Sequence, residues 1–125
     1  MDEATATGGS PDSPFESDVA AYVRDLGYSV DHQVGSGGFL IDLGVNHPAR
    51  PGQYMLAIEC DGATYHSSLW SRERDRLRQE VLEHLGWRFH RIWSTDWFQR
   101  RESEKERLRE ALELAAERLP RTDTA

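Results

Sequence analysis

Two carboxylates one residue apart, Glu59 and Asp61, close an apolar run that begins at Tyr54, and a histidine, His66, follows five residues later. Leu56, Ile58 and Cys60 fill one side of a period-two pattern, whereas Met55, Ala57, Glu59 and Asp61 fill the other, the pattern of a β-strand. At a rise of roughly 3.3 Å per residue the two acids stand about 6.6 Å apart along the strand, near enough to face one cation or one scissile group. Like charges at the end of an apolar strand repel each other and resist desolvation, and a cation is the simplest remedy. Gly62 lets the backbone turn and brings His66 within reach of the strand end. The plainer alternative is that both acids mark where a strand emerges into water.

Three further places carry chemically capable residues. In the segment from Phe39 to Val45, Phe39, Ile41, Leu43 and Val45 form an apolar row and Asp42 stands alone on the other row. A lone acid in such a strand is costly to bury without a partner, so it is at a sheet edge or coordinated, and the apolar character of the strand favours coordination. Ser13, Pro14, Phe15 and Glu16 read as a capping box that opens a helix, which accounts for Glu16 without invoking chemistry. On a later helix Arg72 and Arg76 point outward, while Arg74 and Arg78 flank the buried stripe and could overhang the strand ends as phosphate contacts. Glu73, Asp75, Glu80 and Glu83 would make ordinary helix pairs there.

These residues need a scaffold, and the periodicity supplies one. The first helix runs to about Leu26, with Phe15, Val19, Tyr22, Val23 and Leu26 inward and Gly27 ending it. Strands follow at Tyr28 to Val34, after the Gly35 to Gly38 turn at Phe39 to Val45, and, after a connection from Asn46 to Gln53, at the stretch ending in Asp61. A helix closed by Gly86 buries Trp70, Leu77, Val81, Leu82 and Leu85, and a strand from Trp87 to Trp93 follows. Ser94 or Thr95 caps a short turn, and a last helix spans about Glu102 to Leu119 with Leu108, Ala111, Leu112, Ala115 and Leu119 as its apolar row. The expected fold is α/β in the broad sense (α+β): a three-stranded antiparallel meander, a crossover helix and a parallel strand, order αβββαβ. Helices cover both faces, with a C-terminal amphipathic helix added. Residues 13–98 form the domain, 99–119 the added helix, and 1–12 and 120–125 disordered tails or a linker remnant.

Composition narrows the class. A chain of 125 residues, 38% hydrophobic and 30% charged, is one globular domain. No apolar run approaches the roughly 20 residues that span a bilayer, and no signal peptide is evident, so no membrane association is expected. The single cysteine, Cys60, fits a reducing cytoplasm and a core-filling role. A net charge of −7 argues against coating nucleic acid by bulk electrostatics. Residues 1–20 carry five acids and no base, but residues 71–91 carry six arginines against four acids, so a phosphate partner would meet the second region.

An acid in the first helix, an aspartate in the second strand and an acid-x-polar pair ending the third, in this order of elements, resembles the PD-(D/E)XK nuclease superfamily. More narrowly, the chain resembles the branch around the very-short-patch repair endonuclease, including the nuclease-like domains at the C-terminal end of large superfamily 1 helicases. The residues carrying this are Ser13 to Glu16, Ile41-Asp42, Leu56 to Gly62 with His66, Arg74 to Gln79, and Leu85 through Phe98. The resemblance implies a DNA endonuclease in which Asp42 and Glu59 hold Mg²⁺, or Mn²⁺ in its place, with the backbone carbonyl of Cys60 as a further ligand. It also implies Glu16 reaching in through water, Asp61 at the same catalytic face, His66 moving the proton, and Arg74, Arg78 and Gln79 toward DNA. A helicase domain in the same or a partner chain would be the natural neighbour. One departure stands out: Asp61 occupies the position where many members place lysine, and the only lysine, Lys105, lies in the last helix. His66, Arg74 or Arg78 would then supply the missing positive charge, unless the domain is an inactive DNA-binding or regulatory module.

Overall fold

A computed structural model describes residues 5–6, 13–62 and 69–118, with side-chain detail at all of these except 5–6, 69–72 and 74. Its elements are β1 (Thr5–Ala6), α1 (Pro14–Asp25), β2 (Val30–Ser36), β3 (Phe39–His47), β4 (Arg50–Asp61), α2 (Leu69–His84), β5 (Phe89–Trp93), α3 (Ser94–Gln99) and α4 (Arg101–Glu117). The sheet follows chain order, with β2, β3 and β4 antiparallel and β5 parallel to β4 after the α2 crossover. This is the expected αβββαβ order. Inside the segment expected as a tail, Thr5 and Ala6 pair with Gly35 and Val34 at the β2 edge.

The hairpin between β2 and β3 turns on Gly37 and Gly38, whose φ of 56° and 82° suit the twist of a two-residue turn. The next connection is shorter than the expected 46–53, because β3 runs on to His47 and β4 starts at Arg50. One face of the sheet packs on α1, α3 and α4 through Val19, Val23, Leu43, Val45, Ile58, Ile92, Trp97, Leu108 and Leu112. The other packs on α2 through Val34, Ile41, Ala57, Leu82 and Trp87.

Two strands change phase at the same row. In β2, Val30 lies on the α1 face but Val34 on the α2 face, an interval that strict alternation forbids. In β3 the expected single row splits likewise, with Leu43 and Val45 on the α1 face and Phe39 and Ile41 on the other. The break falls at Gln33, which takes φ 51° in the middle of its strand, and at Asp42, the residue opposite it in the register set by His32↔Leu43 and Val34↔Ile41.

The helices also depart from the expected stripes. Leu26 is exposed and Ala20 takes its place in the core, because the chain leaves the sheet as α1 ends. Leu77 is 58% exposed, since the inward row of α2 is Asp75, Arg78, Leu82 and Leu85, spaced by three and four residues. Arg78 therefore lies within the stripe rather than beside it. Trp93, whose side chain makes no capping hydrogen bond, stands at the α3 N-cap where Ser94 or Thr95 was expected. Leu108, Leu112 and Ala115 bury α4 against the sheet, and Trp97, fully buried, donates from Nε1 to Asp18 at 2.7 Å.

Gly44 leaves no room for a side chain: a Cβ there would lie 3.0 Å from the Tyr54 ring and 3.0 Å from Val34 Cγ2. Tyr54 cannot give way easily, being stacked on Trp87 and bonded to Asp31. Gly44→Ala should cost about 1–3 kcal/mol in urea unfolding, and an unchanged midpoint would show that this contact yields.

Candidate active site

The site begins where the β3–β4 ladder ends. Backbone pairing of β3 with β4 stops at Leu43↔Ile58, and the next two residues in that register are Asp42 and Glu59. Each of these carboxylates accepts from a backbone amide of the facing strand, so the two acids meet across the seam. Side chains here replace backbone rungs: Cys60 N–H donates to Asp42 Oδ2 at 2.8 Å, and Asp42 N–H donates to Glu59 Oε2 at 3.3 Å.

Burial dominates the electrostatics of the pair. It pushes the Asp42 carboxyl up, with the Cys60 amide opposing and the Glu16 charge adding to the rise. Burial also pushes Glu59 up to about 7, against the pull of Arg78 and helped by the Asp42 charge. Arg78 Nη1 lies 2.5 Å from Glu59 Oε1, and Arg78 Nη2 donates to the Leu40 carbonyl at 2.6 Å. The expected DNA contact Arg78 is thus turned inward, onto a carboxylate.

Glu16 is bound differently from the capping-box expectation. Ser13 Oγ does accept from Glu16 N at 3.1 Å, but the Glu16 carboxylate, 1% exposed, reaches away from the helix end. Its Oε2 accepts from His32 Nδ1 at 2.8 Å and its Oε1 from Gln33 Nε2 at 3.0 Å. Gln33 also hydrogen-bonds Asp42, so one amide joins the acid of α1 to the acid of β3. A buried carboxylate is tolerable only with such partners. The left-handed backbone of Gln33 aims that amide, a conformation that costs a non-glycine residue roughly 1–2 kcal/mol.

Asp61 sits at the end of β4, where Arg91 Nε of β5 lies 2.8 Å from its Oδ2 and Arg91 Nη2 donates to Asp75 of α2 at 3.1 Å. The contact with Nε is an ion pair without hydrogen-bond alignment, which leaves Oδ2 a buried acceptor with no hydrogen bond among the described residues. Burial pushes the Asp61 carboxyl up, with Arg91 opposing. Cys60 turns its side chain to the core and its thiol pKa is raised by burial.

The structure therefore brings together Asp42, Glu59, Glu16, Asp61, the Cys60 backbone and Arg78. Gln79 stays apart, bonded to Glu83 one turn along α2. His66 and the side chain of Arg74 lie outside the described residues. Three contributors escaped the sequence reading: His32, Gln33 and Arg91. Arg91 had a usable signal, because a charge between Phe89 and Trp93 on one row of a strand poses the same question as Asp42. His32 and Gln33 had none, since their role depends on a backbone kink.

Two outcomes test this geometry. Gln33→Gly should be more stable than Gln33→Ala by about 1 kcal/mol in urea unfolding, since only glycine adopts positive φ freely; equal stability would mean the kink relaxes. Glu59 holds a proton to about pH 7 when folded but only to about 4.5 when unfolded. Its contribution to stability is thus fully present below pH 4.5 and lost as pH rises through 7. Glu59→Gln should flatten the loss of denaturation midpoint between pH 4.5 and 7.5, and identical slopes in parent and variant would assign that loss to other groups.

Residues 15–112 match REase_MTES_1575, a restriction endonuclease-like family, so the match covers every element from α1 into α4. No curated protein matches the chain. With acids from α1, β3 and β4 converging inside the matched region, the chain belongs to this restriction endonuclease-like family, whose fold is that of PD-(D/E)XK-like nucleases.

Proposed function

We propose that this domain is a metal-dependent endonuclease that hydrolyses phosphodiester bonds in DNA. The observation that carries the reading is the juxtaposition of Asp42 and Glu59 across the opened seam, both desolvated and both with raised pKa values. Such a pair is stabilised in its charged form by a hard cation, and an all-oxygen donor set suits Mg²⁺, with Mn²⁺ as substitute. Asp42 and Glu59 would hold it with the Cys60 carbonyl. Bound there, it would polarise a phosphoryl oxygen and lower the pKa of a water.

The chain's own residues do the rest. Gln33 and His32 fix Glu16 so that it can orient water beside Asp42. Arg78 neutralises Glu59 and keeps the seam from flying apart. His66, titrating near neutrality when unperturbed, is the group proposed to move the proton.

A net charge of −7 supports delivery to DNA by a larger polypeptide, such as a helicase or a repair or defence protein, in line with the resemblance to the very-short-patch repair branch. The lone cysteine suits a cytoplasmic setting, and no described helix is long and apolar enough to cross a membrane.

A second reading, an inactive nuclease-like module that binds DNA or regulates a helicase, draws on a specific observation. Arg78 already neutralises Glu59, and no three His, Cys, Asp or Glu side chains stand ready as a ligand group among the described residues. A plasmid-nicking assay with Mg²⁺ or Mn²⁺ separates the two. The parent should nick, and Asp42→Asn and Glu59→Gln should each be slower by at least about 100-fold, the scale of one lost electrostatic contact to the transition state. Equal rates in all three would remove these acids from the chemistry; salt-sensitive binding without any cleavage would select the second reading.

A further inference from the structure

A phosphodiester entering this site meets the carboxylates of Asp42, Glu59, Asp61 and Asp75 and must be offered positive charge. Arg78 is committed, with one Nη on Glu59, the other on the Leu40 carbonyl, and a side chain only 17% exposed. Arg91 is not. It stands opposite Glu59 in the parallel β4–β5 register, its side chain is 32% exposed, and its Nε and Nη2 rest on Asp61 and Asp75. Its Nη1 makes no hydrogen bond among the described residues.

We propose that Arg91 is the catalytic cation of this site, presenting Nη1 to a phosphate of the DNA while Asp61 and Asp75 hold the guanidinium. The inference rests on the nuclease reading for its substrate. Two carboxylates from different elements fix both the position and the plane of the fork, so the third nitrogen is aimed before DNA arrives. The Trp93 ring, 5.9 Å from Arg91 Cζ, supports the same side chain from the next position on the row. Asp61 then acts as a positioning residue, which explains why an acid can stand where the resemblance leads one to expect lysine. The charge has moved to the adjacent strand, and the acid anchors it.

The test compares the parent with Arg91→Gln, which removes the charge but keeps a donor toward Asp61, and Arg91→Lys, which keeps the charge. Melting midpoints report folding. Should Arg91→Gln fold poorly, Arg91→Gln combined with Asp75→Asn relieves one of the two uncompensated acids and takes its place. Single-turnover cleavage should fall at least about 100-fold in Arg91→Gln and recover at least tenfold of that in Arg91→Lys. Independently, binding of a short duplex without metal should lose about 0.9 from the slope of log affinity against log salt in Arg91→Gln only, the value of one phosphate contact. A folded Arg91→Gln with the parent's salt slope overturns the proposal whatever the cleavage shows. A parent that cleaves nothing defeats the nuclease reading, and the salt slope still decides whether Arg91 meets phosphate.

Discussion

A carboxylate placed in the seam of a β-sheet has to be met by donors, and the donors nearest to hand are the backbone amides that would otherwise bond the neighbouring strand. That exchange governs this molecule. Cys60 N–H turns to Asp42 and Asp42 N–H to Glu59, so the acids replace two rungs of the ladder instead of sitting on top of it. The opening of the strands and the assembly of the site are one event. Without the acids the amides would lack acceptors, and without the amides the acids would be desolvated charges without partners.

The rest of the fold accommodates that opening. Gln33, opposite Asp42 in the β2–β3 register, leaves ordinary strand geometry, and both strands continue with their side chains exchanged between faces. The exchange lets Val34 and Ile41 pack under α2 while Val30, Leu43 and Val45 pack under α1 and α4. It also lets an acid on one helix communicate with an acid in the sheet through a single amide. On the far side, the described inward row of α2 changes its chemistry, from Leu82, followed by Leu85 just past the helix, to Arg78 and Asp75 in its middle. Leu82 thus packs on the sheet while Arg78 and Asp75 make ion pairs with it.

The element order was legible in the sequence because it rests on apolar periods of two and of three to four, which the order of apolar and polar residues expresses directly. Asp42 and Glu59 were legible for a related reason: a single acid in an apolar strand breaks the period and so announces itself. Glu16 was hidden by a competing local explanation, since Ser13 does cap the helix and only the tertiary fold reveals that the glutamate side chain goes to His32 and Gln33. Leu77 and Arg78 were exchanged because an apolar residue was assumed to face inward; the three-four spacing through Asp75 fits equally well once a buried acid is there to receive the arginine. Gln33 depends on one positive φ, and Arg91 on a parallel register between β4 and β5. The first is not written in residue type, whereas Arg91 did announce itself as a charge on an apolar row and lacked only its partners.

Charge accounting ties the site to the behaviour of the whole chain. Among the described residues Glu16, Asp42, Glu59, Asp61 and Asp75 face two guanidinium groups and His32, so the site is acidic and contributes to the chain's net charge of −7. With Glu59 titrating near pH 7, the pocket relieves part of that excess by holding a proton, which a cation would displace. In the proposed function this makes positive charge the limiting resource at every stage: for occupancy of the seam, for seating a phosphate, and for finding DNA at all. A domain with one lysine, remote from its acids, meets the first two needs with arginines fixed by carboxylates. In that reading the third would come from a larger polypeptide that carries the domain to DNA.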